Sequence, residues 1–295
     1  MSRHKKPASL DITGAKCYNW AMKKIFETTV NDIEFPVMMK DYLRKLGLSV
    51  TLIKRAKFGG IYLNGKAVTV RAEVKRGDII ELFTEDAKSD GIPPMDIPLT
   101  VIYEDEDILA VDKPTNMPTH PSKGNNLPTL ANAVMGYYGG DFVFRSVNRL
   151  DRDTSGIVII AKNQMSAGRL SESMKKGLWE KKYEALVVGI PNPTEGVIDA
   201  PIERIEEGNI KRTVRPDGKR AVTKYKVIKE GDHSLCEISL LTGRTHQIRV
   251  HMSYIGHPLV SDFLYGEPSD SDYYLRCKEI RFPHPRSGEL IIIKA

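Results

Sequence analysis

Residues 147–162, V-N-R-L-D-R-D-T-S-G-I-V-I-I-A-K, decide the fold of this 295-residue chain. The second half of the stretch, residues 157–160, is a continuous β-branched run, which predicts a strand buried on both faces. The first half places Asp151 between Arg149 and Arg152, followed by short hydroxyl side chains. So many polar groups before a buried strand predict a turn at the sheet edge, fixed by local hydrogen bonds. A turn whose charges are only solvated would show the same pattern.

Composition and charge restrict the class of protein. Hydrophobic residues make up 41% of the chain and charged residues 28%, as in ordinary globular proteins. No apolar run approaches the roughly 20 residues that span a bilayer, and the N-terminus has no apolar signal core. Cys17, Cys236 and Cys277 lack C-x-x-C spacing, which favours a reducing compartment over disulfides or zinc. We therefore expect a cytoplasmic protein, and its net charge of +6 favours a polyanionic partner.

Composition shifts divide the chain into a small and a large domain. The segment between them, S-D-G-I-P-P-M-D-I-P, is rich in Pro, Gly and Asp, which predicts an extended boundary rather than packed structure. A basic, polar leader precedes the small domain. The expected parts are the leader 1–17, the small domain 18–88, the linker 89–98 and the large domain 99–295.

The small domain has the pattern of two short helices and a hairpin. A helix is expected after Pro36 and ends at Gly47, and Ser49 caps the next one. Asn64-Gly65 lies between two apolar runs and is the strongest short signal for a hairpin turn. The polar sides of the two helices carry the basic residues Lys40, Arg44, Lys45, Lys54, Arg55 and Lys57.

The large domain alternates strands and helices. Two strands are expected around the acidic turn at residues 104–107, and a further strand at residues 181–190. Helices are expected at residues 129–138 and 163–176, each followed by glycine.

A third helix is expected at residues 245–255. Thr242 or Thr245 can cap its start, and a glycine ends it. His246 and His251 fall five residues apart, which puts them on different faces of a helix. No acidic or cysteine ligand accompanies them, so we expect no metal site.

Four motifs follow one another in the large domain. They are Y-E-D-E-D-I-L-A-V-D-K-P-T-N-M-P-T-H-P from residue 103, N-R-L-D-R-D-T-S-G from residue 148, K-K-Y-E-A-L-V-V-G from residue 181 and L-L-T-G-R-T-H-Q-I-R-V-H from residue 240. Together they resemble the signatures of the RluA family of RNA pseudouridine synthases. The small domain resembles the S4 RNA-binding domain, whose helices and hairpin present a basic face to folded RNA.

The resemblance implies an α+β fold, with a mixed, mostly antiparallel sheet flanked by helices and a small N-terminal S4-like domain. It implies isomerisation of uridine to pseudouridine, which requires no cofactor and no metal. The implied partner is RNA, foremost a stem-loop of large-subunit ribosomal RNA, with transfer RNA as the alternative. We further expect a monomer that does not bind membranes.

The resemblance also implies roles for particular residues. Asp151 is the one catalytic carboxylate, Tyr183 stacks on the target uracil, and Arg249 pairs with Asp151 to keep it ionised. Whether the aspartate attacks covalently or removes a proton so that a glycal forms stays open. The residues expected to bind RNA are Arg149, Arg244, His246, Ile248, Lys54, Arg55 and Lys57.

Three positions depart from the family pattern. Asn116 and Ser261 stand where glycine is usual, and Arg276 stands where histidine is common. Asparagine tolerates a left-handed backbone nearly as well as glycine, so we expect that conformation at Asn116. The departure at Arg276 affects a local contact and not the chemistry.

Two other classes of protein are alternatives. A glycoside hydrolase needs two carboxylates roughly 5 to 9 Å apart, for which Asp151 and Asp153 are candidates. The chain has only Trp20 and Trp179 for stacking on sugars, which disfavours this class. A non-catalytic RNA-binding or ribosome-assembly protein would keep the basic small domain but has no need of Asp151 or Tyr183.

Overall fold

The structure, a computed structural model, describes residues 22–48, 50–57, 59–84, 91–122 and 128–295. The predicted leader, the Ser49 cap and the first residues of the linker lie outside these ranges. No helix within the described ranges is long and apolar enough to cross a membrane.

The small domain combines two short helices with two small sheets. One sheet has the strand order β1-β6-β3-β4, and β2 pairs with β5. The elements are β1 (Lys23–Thr29), β2 (Val37–Met38), α1 (Met39–Lys45), α2 (Val50–Ala56), β3 (Ile61–Leu63), β4 (Lys66–Ala67), β5 (Glu73–Val74) and β6 (Ile79–Thr84).

The sequence predictions for the small domain agree with these elements. Gly47 follows α1 with a φ of +78°, which ends the helix as expected. Asn64 and Gly65 have φ values of 51° and 76°, so both central residues of the hairpin turn are left-handed. That turn type matches the twist of the flanking strands β3 and β4.

The large domain contains one large sheet and three helices among its described residues. Its elements are β7 (Thr100–Glu104), β8 (Ile108–Lys113), α3 (Leu130–Tyr137), β9 (Ser155–Ala161), α4 (Gln164–Lys175), β10 (Glu180–Val188), β11 (Glu195–Asp199), β12 (Ile202–Arg204), β13 (Arg212–Val214), β14 (Val222–Lys229), β15 (His233–Leu240), α5 (Gln247–Tyr254), β16 (Leu275–Pro283) and β17 (Leu290–Lys294).

The large sheet is mixed and mostly antiparallel, as expected. Its strand order is β11-β14-β15-β10-β16-β9-β8-β7, with β17 paired to β16. The parallel contact joins β9 to β16 over two residue pairs, Ser155 with Arg276 and Gly156 with Cys277. This contact lies directly after the polar turn around Asp151. The turn is therefore at the start of β9, which is an interior strand of the sheet.

Gly156 allows the close approach of β9 and β16. Its φ is +107°, and a Cβ atom at this position would overlap the backbone carbonyl of Cys277. Only glycine tolerates both conditions at once. The glycine that ends the T-S-G sequence is therefore required by the backbone geometry beside the polar turn.

The apolar run after the turn forms the centre of the core. Residues 157–160 of β9 are fully buried, and α3 and α4 contribute Leu130, Val134 and Leu170 to the same cluster. A strand whose side chains are all apolar is buried on both of its faces. The prediction of a strand buried on both faces is confirmed.

The linker differs from its prediction. Residues 92–98 have no helix or strand, as expected, but they pack against α3. The backbone N–H of Met95 donates to Asn132 O (3.1 Å), and Asn132 Nδ2 donates to Pro93 O (2.9 Å). A Cβ atom at Gly136 would overlap Met95 O. The expectation of an unpacked boundary is wrong because α3 supplies polar partners for the linker backbone.

The helix α5 starts later than predicted. Its N-cap is His246, with a left-handed φ of 58°, and not Thr242 or Thr245. Thr242 is engaged elsewhere, because its Oγ1 accepts a hydrogen bond from Val222 N (2.8 Å) and donates one to Gln247 Oε1 (2.9 Å).

Helix α4 joins the two domains. Its Met165 is buried in the core of the small domain. Arg169 donates from Nη2 to Leu46 O (2.6 Å) and from Nη1 to Pro285 O (2.8 Å), which links the small domain to the large one. The Arg169 guanidinium also lies 5.7 Å from the ring centroid of Phe26. The two domains are therefore packed together rather than connected by the linker alone.

Candidate active site

A cavity of about 860 Å³ gathers the predicted site residues of the large domain. Its volume lies within the roughly 300–1,000 Å³ that is usual for ligand pockets. The walls come from the polar turn, from β10 and from the segment that leads into α5. The predicted site residues that line it are Arg149, Asp151, Tyr183, Arg244, His246, Ile248 and Arg249. Lys54, Arg55 and Lys57 belong to the small domain and do not line it.

The turn that carries Asp151 is clamped by the loop after β8. Thr119 Oγ1 donates to Leu150 O (2.8 Å), and Met117 N donates to Arg152 O (3.0 Å). The backbone is therefore held on both sides of Asp151. The Asp151 side chain is 26% exposed and faces the cavity.

A buried lysine stabilises the same turn from behind. Lys113 is fully buried, and its Nζ donates to the carbonyl oxygens of Pro114 (2.8 Å), Met117 (2.7 Å) and Arg152 (3.1 Å). Burial lowers the pKa of Lys113 to about 8, and the charges of nearby carboxylates, Asp151 among them, oppose this effect. One ammonium group thus ties the loop after β8 to the residue that follows Asp151.

Arg249 pairs with Asp262 and not with Asp151. Arg249 Nε donates to Asp262 Oδ2 (2.7 Å) and Arg249 Nη2 to Asp262 Oδ1 (2.6 Å). The two side chains are 3% and 0% exposed. The prediction that Arg249 forms a direct ion pair with Asp151 is wrong, since a bidentate carboxylate already occupies two of its nitrogens. Nη1 is not used in this pair, and Arg249 lines the cavity.

Three aromatic rings surround the Arg249 guanidinium. Its Cζ lies 5.1 Å from the ring centroid of Phe263, 5.0 Å from that of Tyr265 and 5.8 Å from that of Tyr273. Burial, the largest single effect, lowers the pKa of Arg249, but the hydrogen bonds with Asp262 and the charges of Tyr273, Asp262 and Asp151 together raise it, so the net shift is upward. The cation is therefore permanent and fixed in position.

The two arginines beside Asp151 in the sequence do not enclose it. Arg152 donates from Nε and Nη2 to Asp153 (2.9 and 3.1 Å), which makes a bidentate pair within the turn. Arg149 is exposed at the cavity. Asp153 does not line the cavity.

Among the described residues, the basic side chain within 4.0 Å of the Asp151 carboxylate is His246, whose Nε2 lies 3.9 Å from Asp151 Oδ2. On the other side of the ring, His246 Nδ1 and Tyr265 Oη are 2.8 Å apart. Tyr265 Oη already accepts from Arg212 N (2.9 Å), so its hydrogen can be donated to Nδ1. Burial lowers the pKa of His246, and the Asp151 charge opposes this effect. A neutral ring in this network carries its proton on Nε2, directed toward Asp151.

Tyr183 forms the floor of the cavity on β10. It is 7% exposed and belongs to the same buried cluster as Ile248. Burial raises the pKa of Tyr183 well above its ordinary value, and the thiol of Cys277 adds to the shift. The ring is therefore neutral and fixed, with its edge or face available at the cavity wall.

The positions that depart from the family pattern have clear local structures. Asn116 has a φ of 56°, the left-handed conformation expected for it. Ser261 has a φ of 53°, and its Oγ donates to Ser271 O (2.7 Å). Arg276 Nη2 donates to Asp112 Oδ2 (2.6 Å), which defines the local contact at this position.

The two histidines of the T-H-Q-I-R-V-H sequence lie apart, as their spacing predicts. His251 is buried, where its ring nitrogens contact Thr223 Oγ1 (2.8 Å) and Ala200 O (2.9 Å). In the part of the chain that the structure describes, no group of three or more His, Cys, Asp or Glu residues could hold a metal ion.

Three residues of the site were not predicted from the sequence. Lys113 could have been suspected, because a lysine inside an apolar strand and before a proline needs buried partners. Asp262 follows a left-handed residue at some distance from Arg249 along the chain, and nothing in the sequence pairs the two. The role of Tyr265 likewise depends on a contact between distant segments.

Comparisons with known proteins agree with this architecture. A family model described as RNA pseudouridylate synthase matches residues 107–254. The uncharacterized RNA pseudouridine synthase YjbO of Bacillus subtilis (strain 168) is 39% identical over 260 residues, which cover 85% of this chain and 92% of that relative. The ribosomal large subunit pseudouridine synthase D of Pasteurella multocida (strain Pm70) is 35% identical over 252 residues, or 78% of each chain.

A solved structure shows the same likeness. Human RNA Pseudouridylate Synthase Domain Containing 1 superposes with a TM-score of 0.59 and 27% identity, over 69% of this chain and 85% of that one. The mixed sheet and its central cavity thus define the pseudouridine synthase fold. The chain belongs to the RNA pseudouridylate synthase family, whose members are isomerases.

Proposed function

We infer that this protein isomerises specific uridines in a stem-loop of large-subunit ribosomal RNA, with Asp151 as the one catalytic carboxylate. The reaction breaks the N1–C1′ bond of the uridine, turns the base and forms a C5–C1′ bond. The C5 proton is released to solvent and N1 takes up a proton. No electrons are exchanged with a second reactant, so the residues of the cavity suffice.

The observation that carries this inference is the state of the Asp151 carboxylate. It faces the cavity on a turn that is fixed from both sides, and no arginine among the described residues forms an ion pair with it. Its neighbour Asp153 is turned toward Arg152 and does not line the cavity. The pair of carboxylates that a glycoside hydrolase needs is therefore not formed by these two residues.

The cavity is suited to a single base that has left its stack. Asp151 and Tyr183 both line it, and a uridine has to leave its helix for its sugar and base to enter such a cavity. Flipping a base costs a few kcal/mol, which is partly offset by stacking on an aromatic ring. Arg149 is exposed beside Asp151 and can occupy the vacated stack or contact a phosphate.

The choice of ribosomal RNA is supported by the relative from Pasteurella multocida, whose name assigns it to the large ribosomal subunit. The decisive experiment compares pseudouridine maps of total RNA from cells with and without this protein. The purified protein is then incubated with the unmodified RNA labelled with tritium at uridine C5, and tritium release is measured. If the pseudouridine missing from cells without the protein lies in transfer RNA, the substrate is transfer RNA and not ribosomal RNA. No lost site and no tritium release would contradict the proposed function.

The role of Tyr183 can be tested by two substitutions. Tyr183→Phe keeps the ring and should retain activity within about fivefold, whereas Tyr183→Ala should lose roughly five- to 150-fold, the value of one stacked base. The measurement is tritium release at saturating and limiting RNA. Thermal unfolding of both variants is the control, because Ala also removes a core side chain. Equal losses would assign the role to the hydroxyl instead of the ring.

We further infer that the small domain binds RNA as an S4-like unit. Lys40, Arg44, Lys54 and Arg55 are exposed on α1 and α2 or at their ends. The double substitution Lys54→Gln and Arg55→Gln should reduce the slope of log affinity against log salt, by roughly 0.7 to 0.9 for each lost phosphate contact.

The matched control for the small domain is Lys226→Gln, since Lys226 is exposed on the large domain and paired with Glu195 at 3.2 Å. Its salt slope should stay that of the parent. If the double substitution has no larger effect than this control, α2 does not contact RNA.

A further inference from the structure

Lys181 differs from the other lysines around the cavity. It is half-buried on β10 and lines the cavity, and burial lowers the pKa of its ammonium. Among the described residues, no carboxylate lies within 4.0 Å of it. By contrast, Lys182 on the same strand is paired with Glu237 at 3.4 Å.

The immediate neighbours of Lys181 are uncharged. Its Nζ lies 4.0 Å from the sulfur of Met174 and 5.6 Å from the ring centroid of Trp179. The thiol of Cys277 is also close, and burial raises the pKa of that thiol to about 12, so it stays neutral. An ammonium that is partly withdrawn from water and has no counter-charge is unfavourable unless a ligand supplies the negative charge.

The position of Lys181 relative to Tyr183 defines what that ligand could be. Two residues apart on one strand, the side chains lie on the same face, roughly 6.6 Å from each other along the strand. The pairing of β10 with β16 has a bulge between these two positions, but its extra residue lies on β16, so β10 keeps its own alternation. Lys181 and Tyr183 both line the cavity, and Tyr183 is the cross-strand neighbour of Cys277 on β16. The spacing is close to that between a base and the phosphate of its own nucleotide.

We propose that Lys181 is the anchor for a phosphate group of the RNA backbone at the flipped uridine, inside the cavity and next to Tyr183. This inference rests on the proposed function, because it takes Tyr183 as the place of the uracil. The phosphate oxygens replace the missing counter-charge of the ammonium. The same contact fixes the sugar relative to Asp151, since the sugar lies between the base and the phosphate.

The test compares Lys181→Met, Lys181→Arg and Lys226→Met in the full-length protein. The substrate is total RNA, labelled with tritium at uridine C5, from cells without this protein. Tritium release gives kcat/KM at several salt concentrations, and thermal unfolding is measured for each variant. Lys181→Met should lower kcat/KM roughly ten- to a hundredfold, the value of a hydrogen bond to a charged group, and reduce its salt dependence. Lys181→Arg should restore most of the activity, and Lys226→Met, at an exposed lysine that does not line the cavity, should lose less than about twofold.

The stability of the variants separates binding from folding. Removing an unpaired cation from a half-buried position should leave the melting temperature of Lys181→Met unchanged or higher. Activity of Lys181→Met equal to that of Lys226→Met, or an unchanged salt slope, would overturn the phosphate anchor. The phosphate anchor is also overturned if Lys181→Met loses activity together with a fall in its melting temperature. Absence of tritium release by the parent protein would instead contradict the proposed function.

Discussion

The Asp151→Asn protein is expected to lose pseudouridine formation by roughly ten-thousandfold or more, the usual effect of removing a central catalytic group. The amide keeps the shape of the carboxylate but can neither attack C1′ nor accept a proton from the sugar. RNA affinity should change little, because the turn is held by backbone contacts from Thr119 and Met117. Tritium release measures the first effect, and equilibrium binding measures the second.

The matched control is Asp153→Asn, two residues further along the same turn. Asp153 is paired with Arg152 and does not line the cavity, so this variant should retain most of the activity. Appreciable turnover by pure Asp151→Asn would refute the single-carboxylate mechanism. Comparable losses in the two variants would point to disruption of the turn instead.

Arg249→Met is expected to reduce the free energy of unfolding by about 3 to 5 kcal/mol, because it leaves a fully buried Asp262 without its cation. In a domain of this size the melting temperature should fall by roughly 6 to 20 °C. Methionine still fills the space between the three aromatic rings, so lost packing is a smaller part of the effect. Thermal or denaturant unfolding provides the measurement.

A second substitution at Asp262 separates the structural role of Arg249 from its catalytic one. Asp262 Oδ1 also accepts from the backbone N–H groups of Leu264 (2.9 Å) and Tyr265 (3.2 Å), and an asparagine oxygen can keep both contacts. The double variant Arg249→Met with Asp262→Asn should therefore regain most of the lost stability. Its tritium release should stay low, because the cavity then lacks the Arg249 guanidinium. Recovery of activity together with stability would show that Arg249 serves folding alone.

Local patterns along the chain were sufficient to predict the elements of the fold. The Asn64-Gly65 turn, the ends of α3 and α4 at glycine and the doubly buried β9 are each specified within a few residues. The left-handed conformation of Asn116 was also predictable, because few residue types tolerate it. The resemblance of the motifs then brought Asp151, Tyr183 and Arg249 to one cavity.

The errors arose where distant segments compete for one partner. Arg249 was expected to bind Asp151, but the segment after α5 brings Asp262 to it with better geometry. Thr242 or Thr245 was expected to cap α5, but the Thr242 hydroxyl accepts a hydrogen bond from Val222 of β14 and the N-cap is His246. Such competition depends on three-dimensional packing, and spacing along the chain does not report it.

The contact of α4 with the small domain has a consequence for how RNA is chosen. Met165 and Arg169 hold the two domains together. The distance from the exposed cations of α2 to the Asp151 carboxylate is therefore fixed. A loosely tethered pair of domains would accept RNAs with many spacings between the two contact points, at an entropic cost for each. A docked pair accepts one spacing with little further loss of freedom. The identity of the modified uridine would then be set as much by its distance from a second structural feature of the RNA as by the nucleotides beside it.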